Sequence, residues 1–236
     1  MLGVVGTVLL LAGGALTAHA YSNSQQEIRN YEYGNVMWRD EPVDKFFPIT
    51  LGGAGAYSKP DDPKQALWNR VGISPETDCD KGLTRFTLKA AKDNGCKAVL
   101  RATYVDTTAN MVATVAVVVL PEGPNAGGAK EKIFTAYQDH RLSDGAVTPY
   151  AVSGTPASKW KSRNGSYLTT ASGENLPYVV GASSGSVDGY IAGDLPGEWG
   201  DIDGNDVDRE SWSANAENLV EIFLVHMDRM QMGDPL

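Results

Sequence analysis

The chain has 236 residues, 42% of them hydrophobic and 21% charged, with a formal net charge of −9. These are the proportions of a globular protein long enough to bury a core, and no internal repeat or low-complexity tract interrupts them. The acidic balance repels phosphate backbones, so nucleic acid is not an expected partner, and it leaves no polybasic grip on an anionic membrane surface.

The first 20 residues, Met1 to Ala20, contain no Lys, Arg, Asp or Glu. About 20 apolar residues are enough to span a bilayer as a helix. Gly3, Gly6, Gly13 and Gly14 weaken that helix, and Ala18-His19-Ala20 fits the small-x-small pattern of a signal cleavage site. The run is longer than the ~7–15-residue apolar core of a signal peptide. An uncleaved anchor is therefore the leading expectation, and a cleaved signal peptide with secretion is the alternative. Both put Tyr21 onward outside the cytoplasm.

Tyr21 to Arg39 is polar with scattered aromatics, Tyr31, Tyr33 and Trp38, and reads as a stalk or juxtamembrane helix. MWRDEPVDKFFPITLGG follows. Its prolines and glycines break regular structure, yet Phe46 and Phe47 demand burial, on this domain or on a partner. Ala66 to Val71 reads as one helical turn. The segment between Cys79 and Cys96 reads as a short helix with Leu83, Phe86 and Ala90 on one face, stopped at Asn94-Gly95. These are the only cysteines in the chain, and an even count in an exported protein predicts a disulfide. The pairing requires the helix to be short, because the Cα atoms must come within ~7 Å. Two cysteines with no nearby histidine cannot fill a zinc shell.

Lys97 to Val105 and Met111 to Pro121 are rich in β-branched residues and flank the turn DTTAN, so they predict an antiparallel hairpin. The second strand is nearly all apolar from Val115 to Leu120, which predicts a central strand covered on both faces. Ala129 to Arg141 reads as a helix. Short strands are expected at Val147–Val152, Ser166–Thr170, Tyr178–Ala182 and Val187–Ala192. The final helix, Trp212 to Met230, carries Leu219, Ile222, Phe223, His226, Met227 and Met230 on one apolar face. The order predicts an α+β fold with a largely antiparallel sheet and packed helices, preceded by the transmembrane or signal helix. The expected organisation is residues 1–20 as anchor or signal peptide, 21–63 as stalk and draped segment, and 64–236 as the extracytoplasmic domain.

MWRDEPVDKFFPITLGG, the Cys79–Cys96 segment and CKAVLRATYVDTTANMVATVAVVVLP together resemble a set of actinobacterial membrane-anchored or exported proteins. Some of those are encoded beside type VII secretion components. The resemblance covers Val36 to Pro121. It implies an envelope role and brings no catalytic residues with it.

Three stretches suggest chemistry. GASSG, Gly181 to Gly185, matches the G-x-S-x-G nucleophile elbow with Ser183 as nucleophile, and His226 stands in the right chain order to be its base. The required following helix is missing, however, and His226 lies on an apolar helix face. Ser158-Lys159-Trp160-Lys161 fits S-x-x-K without the companion motifs of penicillin-binding enzymes. In GDIDGNDVDRE, the carboxylates Asp201, Asp203, Asp206, Asp208 and Glu210 form a candidate weak calcium loop. Trp199 stands where an EF-hand needs its first ligand, so that loop is broken, and a solvated acidic loop is the competing reading. No other cofactor is expected.

The leading expectation is a non-enzymatic, membrane-tethered envelope protein that binds or scaffolds a protein partner outside the cytoplasm, with Trp38, Phe46 and Phe47 as contact residues. The alternatives are an exported serine hydrolase using Ser183 and a small-ligand or peptide sensor with a cleft on the sheet.

Overall fold

Asn30 begins the described fold by capping α1 (Tyr31–Asp40): its side-chain oxygen accepts the Tyr33 N–H at 3.0 Å. The structure, a computed structural model, describes residues 30–53, 59–141, 144–161, 163–172, 176–191 and 210–232. After α1 come α2 (Val43–Phe46), β1 (Thr50–Gly52), a 3₁₀ turn (Pro63–Gln65) and β2 (Ala66–Ile73). Then follow α3 (Cys79–Gly82), α4 (Arg85–Asp93), β3 (Ala98–Asp106), β4 (Met111–Val119) and α5 (Ala126–Asp139). A second 3₁₀ turn (Pro156–Lys159), β5 (Gly165–Thr170), β6 (Tyr178–Ser186) and α6 (Glu210–Met232) are the remaining described elements.

The strands form one six-stranded sheet in the order β1-β2-β3-β4-β6-β5, antiparallel at every pairing. This is the expected α+β fold. The hairpin is β3 and β4, joined through a turn in which the Asp106 carboxylate accepts from the N–H groups of Asn110 and Met111 at 2.8 Å each. Strand β4 lies inside the sheet, and its residues from Val112 to Val119 are all buried, as its apolar run predicts.

Side chains alternate across the pleat and feed two cores. One face carries Ala113, Val115, Val117, Tyr178 and Val180, covered by α6 with α1 and Phe46–Phe47. The other carries Val99, Ala116, Val118, Leu168 and Val179, covered by Leu83, Ala91, Ile133, Tyr137 and Val147. Two glycines admit close neighbours. A Cβ on Gly165 would stand 2.3 Å from the Trp212 carbonyl carbon, so only glycine lets the first turn of α6 onto the sheet. A Cβ on Gly52 would stand 1.8 Å from the Gln65 carbonyl oxygen, at the bulge where β1 pairs with β2.

Each edge strand has some of its outer groups taken up by neighbouring segments, which makes edge-to-edge pairing harder. On β1, the Gly52 N–H donates to Pro60 O at 2.7 Å and Thr50 Oγ1 donates to Asp61 O at 3.1 Å. On β5, the Tyr137 hydroxyl donates to Ser166 O at 2.9 Å and Lys130 Nζ to Ala171 O at 3.1 Å.

Several elements differ from expectation. Ala66–Val71 is not a helical turn but part of strand β2, because it pairs on both sides, with β1 and β3. The helix between the cysteines is two short pieces, broken at Leu83, whose extended backbone bridges Val147. Val147–Val152 makes only that isolated bridge, and Val187–Asp188 is a turn. The stalk expected to run to residue 63 is built into the domain from Asn30 onward: β1 is a strand of the sheet, and the Asn30 N–H donates to Gln231 O at 3.1 Å. No helix among the described residues is long and apolar enough to cross a membrane, and Met1–Ala20 lies outside them.

Candidate functional site

Register places four hydroxyls in one row across four strands. Thr103 of β3 pairs with Thr114 of β4, Thr114 with Ser183 of β6, and Ser183 with Ser166 of β5. All four side chains are buried. A row of hydroxyls inside a sheet needs partners, because an unpaired buried polar group costs about 1–3 kcal/mol.

Most of the partners come from a strap, residues 144–152, that crosses this face beside α4 and α5. Thr103 Oγ1 donates to Tyr150 O at 2.7 Å, and the Tyr150 N–H donates to Thr114 Oγ1 at 3.0 Å. Ser166 Oγ reaches Asp144 O at 3.4 Å. Val152 packs over Gly72, where a Cβ would stand 2.8 Å from its methyl groups, and Val147 lies close over Gly181. The strap is thus held by the hydroxyl row, and the row is largely satisfied by the strap's main chain.

Asp144 anchors the strap's first end. Its buried carboxylate accepts from the Thr84 hydroxyl, from the Thr87 N–H at 2.6 Å and hydroxyl at 2.9 Å, and from the Ala146 N–H at 3.1 Å. Thr87 lies in the first turn of α4, where the helix dipole favours a negative charge.

Arg101 lies on the same face and is 4% exposed. Nη1 donates to Thr148 O at 3.2 Å, Nη2 donates to Ser74 Oγ at 3.1 Å, and the Tyr150 ring lies 5.7 Å from the guanidinium carbon. Its Nε is buried with no partner. Burial pulls the guanidinium's pKa below the usual arginine value, against the attraction of Glu76. The Ser183 hydroxyl is the second unpartnered group on this face.

Ser183 is not on an elbow. It sits inside strand β6, paired on both sides. His226 does not meet it. Ser184, the next residue, turns its hydroxyl to the Trp212 carbonyl of α6, so Ser183 points to the opposite face of the sheet. His226 belongs to α6 and is buried there, with Nε2 2.8 Å from Lys45 O and its ring beside Phe223. Burial lowers its pKa, against the hydrogen bond to Lys45 O. Ser158 and Lys159 belong to a 3₁₀ turn. Asn164 is buried, with its side-chain amide donating to Tyr190 O at 2.9 Å.

Of the aromatics named as partner contacts, Phe46 and Phe47 are core residues of this domain. Phe46 and Phe47 lie edge to face with centroids 5.0 Å apart, and Phe47 stacks on Phe223 of α6 at 5.4 Å. Trp38 is partly buried against the same cluster. The physical reason is that α2 is a single turn between prolines, which tips both rings onto α6. The sulfurs of Cys79 and Cys96 lie at disulfide distance, with Cα atoms 6.5 Å apart. That approach is possible because the intervening helix is broken. Of the calcium candidates, Asp201, Asp203, Asp206 and Asp208 lie outside the described residues, and Glu210 opens α6. Among the described residues, no group of three His, Cys, Asp or Glu side chains is placed to hold a metal.

Arg101 and the hydroxyl row escaped the sequence reading. One signal was available: Arg101 is a lone charge in the strand run AVLRATYV, and a charge inside a buried strand is rare unless it is used. The row itself depends on cross-strand register, which single strands do not reveal.

No protein-family model, no curated protein and no solved structure matches the chain.

Proposed function

We propose that this chain is a membrane-tethered, extracytoplasmic binding module that holds or scaffolds a protein partner in the cell envelope. In this reading Met1–Ala20 spans the membrane as a helix, and Cys79 and Cys96 are oxidised outside the cytoplasm. The resemblance to actinobacterial anchored or exported proteins points to the same compartment. The observation that carries the reading is the seating of α1. The helix that follows the apolar leader is not a loose linker: Gly34 O accepts the Tyr178 hydroxyl at 2.7 Å, and Asn30 bonds the C-terminal end of α6. A flexible tether would be Gly/Ser-rich and unpacked. From Asn30 onward the chain is thus part of the domain, which leaves residues 21–29 as all the sequence between it and the apolar leader, a short connection that suits a scaffold.

Purification of the full-length chain from its native membrane in mild detergent, followed by mass spectrometry, tests this. A stoichiometric envelope protein that persists through a second purification step is expected. A chain that elutes alone contradicts it.

The second reading is an extracytoplasmic small-ligand or peptide sensor. Two unpartnered polar groups beneath one strap, Arg101 Nε and Ser183 Oγ, favour it. The hydrolase alternative draws no support from Ser183 and His226, which sit on opposite faces of the sheet.

A further inference from the structure

A guanidinium inside a protein stays charged, since arginine does not lose its proton under working conditions. Buried charges are ordinarily paired, and an uncompensated one costs several kcal/mol. Arg101 departs from that rule. Its two direct acceptors, Thr148 O and Ser74 Oγ, are both neutral. Among the described residues the carboxylate that attracts it is Glu76, which forms no ion pair with it. Glu76 sits on the exposed rim of a tight turn in which its own N–H donates to Ser74 Oγ at 3.2 Å. Nε is the guanidinium donor that no described atom accepts, and with the second N–H of Nη2 it forms a fork that a carboxylate can take with two parallel hydrogen bonds.

We propose that Arg101 is the anchor of a binding site for a ligand monocarboxylate, admitted between the Ser74–Glu76 turn and the strap at Thr148–Tyr150. One cation matches one negative charge. A phosphate dianion would need a second cation and would meet Glu76 at the rim, so the site selects the carboxylate. Tyr150 supplies an aromatic wall for the ligand's body. The main-chain contacts of Thr148 and Tyr150 place both on the strap, so occupancy of the site is felt by the strap and through it by the hydroxyl row. The inference goes beyond the tethered-scaffold reading and stands without it. Carboxylate binding is read on the purified chain, whereas partner recruitment is read in membranes, so either can fail alone.

The test is a titration of the full-length chain, ¹⁵N-labelled at arginine, with sodium acetate against a sodium chloride control. For so small a probe, half-saturation at about 1–10 mM is expected. The Arg101 Nε resonance should move saturably with acetate and not with chloride. Glu76→Gln removes the repelling charge from an exposed side chain without touching the fold, and should tighten acetate binding about two- to three-fold, the size of a partly screened charge pair. Arg101→Lys should abolish the effect. If that variant fails to fold, Glu76→Gln still decides. An Arg101 signal unmoved by acetate, inorganic phosphate binding more tightly than acetate, or no tightening in Glu76→Gln would each overturn the proposal.

Discussion

Replacing Phe47 with alanine tests whether the segment behind the leader belongs to the domain. Phe47 is 1% exposed and Phe46 2% exposed. The Phe47 ring stacks on Phe223 with centroids 5.4 Å apart and planes 24° apart, and Phe46 meets it edge-on. Deleting a fully buried phenyl ring costs about 3–5 kcal/mol, through lost transfer free energy and the cavity that remains. About 0.5–1.5 kcal/mol of that is the aromatic pair itself, which a double-mutant cycle with Phe223→Ala isolates. Against a total stability of about 5–15 kcal/mol, the loss is a large fraction. Urea unfolding of the full-length chain and its variants, followed by tryptophan fluorescence, measures both quantities. The midpoint should fall strongly in Phe47→Ala, with positive coupling to Phe223. A loss below about 1 kcal/mol, the size of a surface substitution, would refute the packing argument. It would also restore the reading in which these rings wait for a partner.

Three further outcomes follow from the same structure. Replacing both Cys79 and Cys96 with serine opens a loop of sequence separation 17, which should cost about 3 kcal/mol in the chain-entropy treatment; thiol labelling of the unreduced, unfolded chain should find no free thiol, and two labelled cysteines would contradict the pairing. Ser183→Ala removes a buried hydroxyl that has no partner, so stability should hold or rise by up to about 1 kcal/mol. Fluorophosphonate probes should leave the wild type unlabelled, and labelling that vanishes in Ser183→Ala would revive the hydrolase. His226 has a folded-state pKa held below its ordinary value by burial, so the unfolded chain binds a proton that the folded chain refuses. Stability should therefore fall as pH drops below about 6.5, by up to ~1.4 kcal/mol per pH unit until the folded pKa is reached. His226→Gln, which can still donate to Lys45 O, should flatten that slope; an unchanged slope would place the acid sensitivity elsewhere.

Local pattern made much of the fold legible. The β3–β4 hairpin follows from two β-branched runs around DTTAN, and the apolar Val115–Leu120 run marks a central strand. The spacing from Leu219 to Met230 marks the face of α6 that lies on the sheet. What escaped was set by partners distant in sequence. ALWNRV carries no clean alternation and becomes a strand because β1 and β3 flank it. The VTPYAV stretch looks like a strand but lies across the sheet, held by Thr103 and Thr114 rather than by a ladder. Phe46 and Phe47 announced their need for burial without saying where, and α6 lies more than 150 residues further along the chain. For the site, the Ser183 motif was visible and misleading, while Arg101 was visible and passed over. The row that frames it exists only once four strands are in register.

In the proposed function this domain holds an envelope partner while tethered through its N-terminal leader. Site-specific photo-crosslinking in native membranes tests it most directly. Probes placed singly at the exposed positions Val43, Ile49 and Phe86 of the full-length chain sample both sides of the sheet. One discrete crosslinked envelope protein is expected, captured from one side and not the other, and lost when a flexible Gly/Ser spacer is inserted between Ala20 and Asn30. Absence of any adduct from all three positions, or an adduct indifferent to the spacer, would contradict it.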